Sequence, residues 1–293
     1  MAQLLLSLGC AAGALLGGLV FTVSASEAAQ LKEKTAEAFE QYVRASEAGM
    51  DQELSAGRVF LWVDALPAAE RSEAYARLKE GQIIVERYPS GASRDASAIP
   101  GGLIHDWVGA VFIRGVSLPR ALAIVQDYDR DADYYRPEVL RAKVLWHSGK
   151  DFRIFLQLKR TRIVTVVLDT EYDVRHERLD ATHATSESRS TRVVEVEDAG
   201  TPRERERAAG EDHGFLWRLD SYWRFREADG GVYVQCRAIS LTRDVPVGLG
   251  WLVRPFIESI PVESLRFTLD ATRAALEGPH DGSQAPVAAA AIR

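Results

Sequence analysis

With 293 residues, 46% of them hydrophobic and 27% charged, the chain has the composition of a globular protein that can bury a core. Its formal net charge of -6 argues against a general nucleic-acid binder, which carries a basic excess. Only two cysteines are present, Cys10 and Cys236, which excludes a cysteine-based zinc site.

Taken in chain order, residues 4–23 are almost wholly apolar, and Val23-Ser24-Ala25 offers the small residues a signal peptidase reads. Residues 1–25 are therefore expected to be a signal peptide, making the protein exported (periplasm, cell envelope or secreted). No Lys or Arg precedes the apolar run, so a membrane anchor of about 20 residues is the second reading. Loss of this segment with Cys10 leaves Cys236 alone, a small buried residue in a strand-like run.

Residues 30–98 form a helical segment and linker. Phe39, Tyr42, Val43, Ser46 and Met50 recur at helical spacing, a second helix is expected over 68–80, and Ile83-Ile84-Val85 has the texture of a short strand. This segment has too little apolar material to stand alone and is expected to pack on the domain C-terminal to it. Composition makes residues 90–102 a linker.

A single domain is expected over 99–278. A strand over 107–113 leads to a helix over Leu118–Val125, with Ser117 as cap and Pro119 in its first turn, and to further helical turns over 128–135. Strand-like runs come next at 143–147, 152–159, 163–174, 184–196, 215–225 and 232–242, the last after the Asp229-Gly230-Gly231 turn. A charged loop occupies 198–212. Finally Val262, Leu265, Leu269, Thr272 and Leu276 make one stripe of a long helix, with Glu263, Arg266, Asp270, Arg273 and Glu277 one position on as a ladder of ion pairs. Pro261 is placed near its first turn and Gly278-Pro279 after its end; residues 279–293 read as a disordered tail.

A twisted antiparallel sheet with one long helix across it leaves a gap, because a bent surface and a straight rod do not touch everywhere. An apolar gap of that kind is the default small-molecule site. On the run from Phe215, the residues Phe215, Trp217, Leu219, Ser221, Trp223 and Phe225 share one face, taken as inward. Arg218, Asp220, Tyr222, Arg224 and Arg226 share the other, taken as solvated, since burying them would leave charges unpaired. Phe152, Ile154 and Leu156 alternate in the same way, Cys236 lies on a small-residue face, and Trp107 and Tyr135 are rim or lining candidates. The run from Ala184 is polar on both faces: it is either an edge strand, or one whose Ser186, Ser188, Ser190 or Arg189 lends polar groups to the cavity.

Catalytic residues, metal ligands and cofactor motifs are not found. His105 and Asp106 are adjacent and so point to opposite faces of a strand. His147, His176, His183 and His213 lack metal-ligand spacing, and Asp220, Glu171 and Asp173 would act as bases only if buried. The turn Lys159-Arg160-Thr161-Arg162 offers a peripheral membrane contact.

The order strand, two short helices, six strands and a long helix resembles the START-like (helix-grip, SRPBCC) superfamily of polyketide cyclases and lipid-transport domains. The likeness runs over about 101–277. It is carried by Gln126-Asp127-Tyr128-Asp129 through Tyr134-Tyr135-Arg136-Pro137, and by Leu241-Thr242-Arg243-Asp244-Val245-Pro246 leading to Gly250-Trp251-Leu252-Val253-Arg254-Pro255. It implies an α+β fold, a curved antiparallel sheet wrapped on a long C-terminal helix, here with an added N-terminal helical segment, and a hydrophobic ligand. The expected lining residues are Trp107, Tyr135, Phe152, Ile154, Leu156, Arg189, Phe215, Trp217, Ser221, Trp223, Cys236, Leu265 and Leu269. The leading expectation is carriage or sensing of a hydrophobic small molecule (lipid, isoprenoid or polyketide-like). The alternatives are a cyclase or aromatase acting in the same cavity, and a membrane-surface or protein-interaction module using residues 32–88.

Overall fold

The structure, a computed structural model, describes residues 31–57, 59–89, 98–161, 165–208, 210–244 and 250–278, without the side chains of Ala98 and of 250–258. Residues 1–30 with Cys10, on which the expected signal peptide falls, the middle of the linker, Arg162 and the residues from Pro279 on lie outside the described residues.

Helix α1 (Glu33–Ala56) buries Thr35, Phe39, Val43 and Met50 along one stripe and ends at Gly57, whose positive φ of 64° is the left-handed stop that glycine tolerates. A 3₁₀ turn (Trp62–Ala65), helix α2 (Ala68–Lys79) and strand β1 (Ile84–Arg87) come after it. Then come β2 (Ala98–Ile99), β3 (Gly102–Arg114), helix α3 (Leu118–Val125), a 3₁₀ turn (Tyr128–Arg130), and α4 (Asp131–Tyr134). Next are β4 (Val139–Ser148), β5 (Asp151–Thr161), β6 (Thr165–Arg178), β7 (His183–Glu197), β8 (Arg205–Glu206), β9 (Arg218–Ala228), β10 (Gly231–Arg243) and α5 (Gly250–Glu277).

The expected strands are all present, most of them longer than expected because hydrogen bonding continues past the apolar residues that reveal a strand in sequence, while the run expected at 215–225 is displaced to Arg218–Ala228. Two expectations at helix ends are corrected. Ser117 makes no side-chain cap on α3; the Leu118 N–H donates instead to the Glu227 carboxylate, 2.7 Å away on β9. Helix α5 starts at Gly250, so Pro261 lies in its interior, where the ring's fixed φ fits a helix but its N–H is lost and the ring crowds the carbonyl one turn back.

The strands form one antiparallel sheet in the order β1-β3-β10-β9-β7-β6-β5-β4, with β2 and β8 attached beside it. The first long strand thus pairs with the last, which turns the sheet back on itself around α5. Strand β7 pairs with β6 on one side and, through Ser188, with β9 on the other. It is an interior strand rather than an edge, and its polarity needs another explanation.

That explanation is a second layer. The N-terminal segment covers the convex face of the sheet, which alternation alone assigns to solvent. Leu61, Trp62, Val63, Ala74 and Leu78 pack on Val108, Ala110, Phe112 and Tyr233, while Phe39, Val43 and Met50 pack on Ile104, Tyr222, Ile239 and Leu241. Charges on this face are buried but paired. Arg237 forks onto Asp106 with bonds of 2.9 and 2.6 Å, and Asp106 also accepts from Tyr42 of α1 at 2.7 Å. Arg224 donates to Glu53 at 2.9 Å and to the Phe60 carbonyl at 2.8 Å. Arg226 meets Asp64 at 3.2 Å. The argument from unpaired charge fails here because the partners come from a segment about 170 residues away, as in the Arg224–Glu53 pair.

Candidate functional site

The concave face lies between the sheet and α5. Across it Trp107, Ala238, Ser221, Ser188, Val174 and Phe152 stand opposite one another on successive strands. The adjacent row is Gly109, Cys236, Trp223, Ser186 and His176. Small side chains therefore fill the middle of the first row, between Trp107 and Phe152, whereas the second has Trp223 at its centre with Cys236 and Ser186 beside it. The serines of β7, unexplained by an edge position, belong to this lane.

Helix α5 is held over β3 by close contact. A Cβ on Gly109 would stand 2.7 Å from the buried Leu269 methyl, so a side chain here would have to displace that leucine. Leu265, Leu269 and Leu276 are buried with Val111, Ile113, Val234 and Phe225. The Tyr135 hydroxyl meets Thr272 of the helix at 3.0 Å. Arg160, at the end of β5, bonds both Glu138 and Ser264 of the helix. The helix is thus pinned at β3 and tethered at β5. Between those lines Trp107, Leu156, Leu219, Ser221, Trp223 and Ala238 keep accessible surface although they face the interior. Val111, Val234 and Phe225, one step along the same strands, are sealed completely. Two open surface hollows, of about 470 and 670 Å³, lie elsewhere, on the outer side of α5 and on α2, with mainly polar and charged linings.

Burial disfavours the charged forms of the polar groups on the concave side. Burial lowers His105 and His176 to about 4, raises Tyr172 to about 12, and raises Tyr128, Tyr135, Cys236 and the α4 carboxyl of Asp131. His176 Nε2 meets the Tyr128 hydroxyl at 2.8 Å within a cluster containing Phe152. Its Nδ1 is buried without a partner, as is Nε1 of Trp107. Charged groups on this side include Arg160 with Glu138, Glu195 with His213 and Arg207, and Arg87 of β1, whose guanidinium lies 4.9 Å from the centre of the Trp107 ring.

Ten of the expected lining residues are brought together on this side. Phe152 and Ile154 are buried around Tyr128, and Leu156 packs beside them. Trp223 stacks on Phe225 with centroids 6.1 Å apart, and its indole N–H reaches Ser221 at 3.3 Å. Cys236, Leu265 and Leu269 are in the core under the helix, with Trp107 packed against it. Tyr135 exposes part of its ring while its hydroxyl is buried at Thr272.

Three are not. Phe215 precedes β9 and is 46% exposed. Trp217 also precedes the strand and is buried among Phe39, Tyr222 and Leu241 under α1, on the convex side. For both, the alternating pattern continues in sequence ahead of the point where the strand begins, at Arg218. Arg189 points to the convex side, paired with Glu47 and Glu187. His105 and Asp106 do diverge, toward Thr242 and Arg237 respectively. Asp220 is buried, but under α1 rather than in the site; Asp173 is exposed and paired with Arg153. Tyr128, Tyr172, His176 and Gly109 belong to the site without having been expected there. Alternation along β6 carries a signal for two of them, since Thr170, Tyr172, Val174 and His176 share a face.

No family model matches the chain, and no curated protein matches it. Solved structures with similar topology include a STAR-related lipid transfer protein from Xanthomonas axonopodis, 16% identical, covering 61% of this chain and 94% of that one with a TM-score of 0.42. Another is the Zhui aromatase/cyclase from Streptomyces sp. R1128, 12% identical over 59% and 94%, TM-score 0.41. Human STARD10 is 9% identical over 71% and 81%, TM-score 0.39. The strand order and the long C-terminal helix laid across the concave face define the architecture: the chain has an α+β, helix-grip fold.

Proposed function

We propose that the protein binds and carries a hydrophobic small molecule between the concave face of the sheet and α5. The observation behind this reading is the accessible surface kept by Trp107, Leu156, Leu219, Ser221, Trp223 and Ala238 on a face that a helix crosses. Filled cores do not leave such a lane of interior surface. The cyclase alternative has weaker support. With His176 near 4 and Tyr128 raised, neither group is poised to exchange a proton near neutral pH, and Arg189 is on the other face. Native mass spectrometry of protein purified from its own cells tests the carrier reading. Copurifying lipophilic mass is expected; empty protein that also ignores long-chain alcohols would sink it.

A membrane contact has its own observation. In the β4–β5 hairpin, residues 139–161 carry six Lys or Arg against one acid, in a chain of net charge -6, although Arg141, Lys150, Arg153 and Arg160 are paired with acids outside the hairpin. Trp146 and Leu145 on β4 are 54% and 44% exposed. An exposed tryptophan beside basic groups suits an anionic bilayer surface. The contact moves from the expected 159–162 turn to this hairpin, because Arg160 is engaged by Glu138 and Ser264. Replacing Trp146 by Ala and Lys143 by Glu should release the protein from phosphatidylserine vesicles in a sedimentation assay. Unchanged sedimentation refutes the contact.

Export remains part of the proposal, on the strength of the apolar residues 4–23. Sequencing the N-terminus of protein recovered from the cell envelope tests it: a chain starting near Ser26 is expected, and one retained in the cytosol with Met1 intact opposes it.

A further inference from the structure

We propose that the concave site takes an elongated amphiphile with a single negative charge, a long-chain carboxylate, whose head meets the Arg87 guanidinium at the β1 end of the sheet and whose tail lies along the lane toward β7. The proposal rests on the carrier reading above and adds to it a ligand class and a head-group residue.

Arg87 stands opposite Trp107 across the β1–β3 pairing, so both side chains are on the concave face. From there the row continues through Trp107, Ala238, Ser221 and Ser188 on the next four strands. A positive charge thus occupies one end of a row that is otherwise uncharged. Trp107, Ala238, Ser221 and Ser188 all keep accessible surface, over roughly 15 Å at the usual strand spacing of about 4.8 Å. That length suits a chain rather than a compact ring system.

The charge is available. Arg160 is engaged by Glu138, and Arg207 by Glu195 and Glu197. Arg87 is exposed, has no carboxylate partner among the described residues, and lies with its guanidinium 4.9 Å from the Trp107 ring centre. Stacking on an indole face leaves the guanidinium edge, with its N–H donors, open to an acceptor. His105, two residues before Trp107 on the same face, does not compete for the head. Burial and the nearby Arg87 charge lower it to about 4, and its Nε2 is engaged with the Thr242 hydroxyl at 3.0 Å. One cation calls for one negative charge, which a carboxylate carries and an alcohol does not. Arg87 belongs to the strand that the N-terminal segment lends to the sheet, so that segment is part of the site as well as a cover for the convex face.

The test titrates dodecanoate, dodecanol and dodecyltrimethylammonium at pH 8 into the intact protein and into its Arg87→Gln variant. The net charge of -6 favours the ammonium head at long range, so a preference for the carboxylate has to come from a local cation. Dodecanoate is expected to bind about fivefold tighter than dodecanol, the scale of one partly solvated ion pair, with the ammonium weakest. In Arg87→Gln the advantage of carboxylate over alcohol should vanish while dodecanol binding stays. As a check that does not depend on the variant, the Arg87 Nε–H resonance should move on adding dodecanoate and stay in place with dodecanol. Dodecanol or the ammonium binding as tightly as dodecanoate, a carboxylate advantage that survives in Arg87→Gln, or an unmoved Arg87 resonance with dodecanoate bound overturns the proposal and leaves the carrier reading standing. Failure of all three probes to bind removes both.

Discussion

Asp220 shows what a single buried carboxyl does when its surroundings are only half adapted to charge. It sits under α1, 5% exposed, and accepts from the Ser190 N–H at 3.0 Å, with Arg189 on one side and Glu40 on the other. Burial wins over the hydrogen bonds and lifts it to about 6. The folded state therefore holds this proton more tightly than the unfolded chain does. Its contribution to stability is greatest below about pH 4, falls as pH rises toward 6, and stays low above that. A shift of about two units corresponds to roughly 3 kcal/mol. Asp220→Asn keeps the acceptor and removes the charge. At pH 7.5 the variant should be more stable by about 1–3 kcal/mol in urea unfolding, with the gain gone at pH 4. His105 and His176, both lowered, contribute the opposite slope, and this cancels when the two proteins are compared at each pH. A gain independent of pH would show that the carboxyl is not the cause.

At the scale of elements, β9 and β10 show what alternation tells and what it leaves out. Their parity is legible in sequence: Leu219, Ser221, Trp223 and Phe225 share one face, and Asp220, Tyr222, Arg224 and Arg226 the other. Which face meets a second layer is not, because Arg224 and Arg237 are matched by Glu53 and Asp106, residues remote in sequence. The polar β7 misleads for a similar reason: a serine row facing a lane and one facing water have the same letters. The long helix is legible because its stripe and its ladder both repeat at helical spacing, whereas its start is obscured by Pro261. The paired charges give a sharp prediction. Asp106→Ala leaves the Arg237 guanidinium buried against the Tyr88 ring and Ser46 Oγ, without its carboxylate. It should destabilise the protein by about 3–5 kcal/mol, whereas the double change Asp106→Leu with Arg237→Met should recover most of the loss. Urea unfolding of the three proteins measures both steps, and a single-variant loss under about 1 kcal/mol would mean the pair is solvated.

For the whole molecule, the sheet is a wall between two unlike interiors. One side is the apolar layer under α5; the other is a packed layer of leucines, aromatic rings and paired arginines under α1 and α2. The N-terminal segment also supplies β1, which pairs with β3 from Ile84 opposite Ala110 to Arg87 opposite Trp107. Removing residues 32–88 is a natural way to ask whether that segment is a separate contact module, but the layering changes what the deletion means. A chain beginning at Ala98 would expose Val108, Phe112, Tyr233, Ile239 and Leu241, and strip the partners from Arg224 and Arg226. It would also open the edge of β3 at the positions nearest Trp107. Such a chain should lose its cooperative melting transition and bind an apolar dye in native buffer, the behaviour of a sheet whose packing has loosened on one face. Thermal unfolding followed by near-ultraviolet circular dichroism decides it. A sharp transition within a few degrees of the intact protein would mean that the helix-grip part is self-sufficient and that the N-terminal layer serves a partner instead.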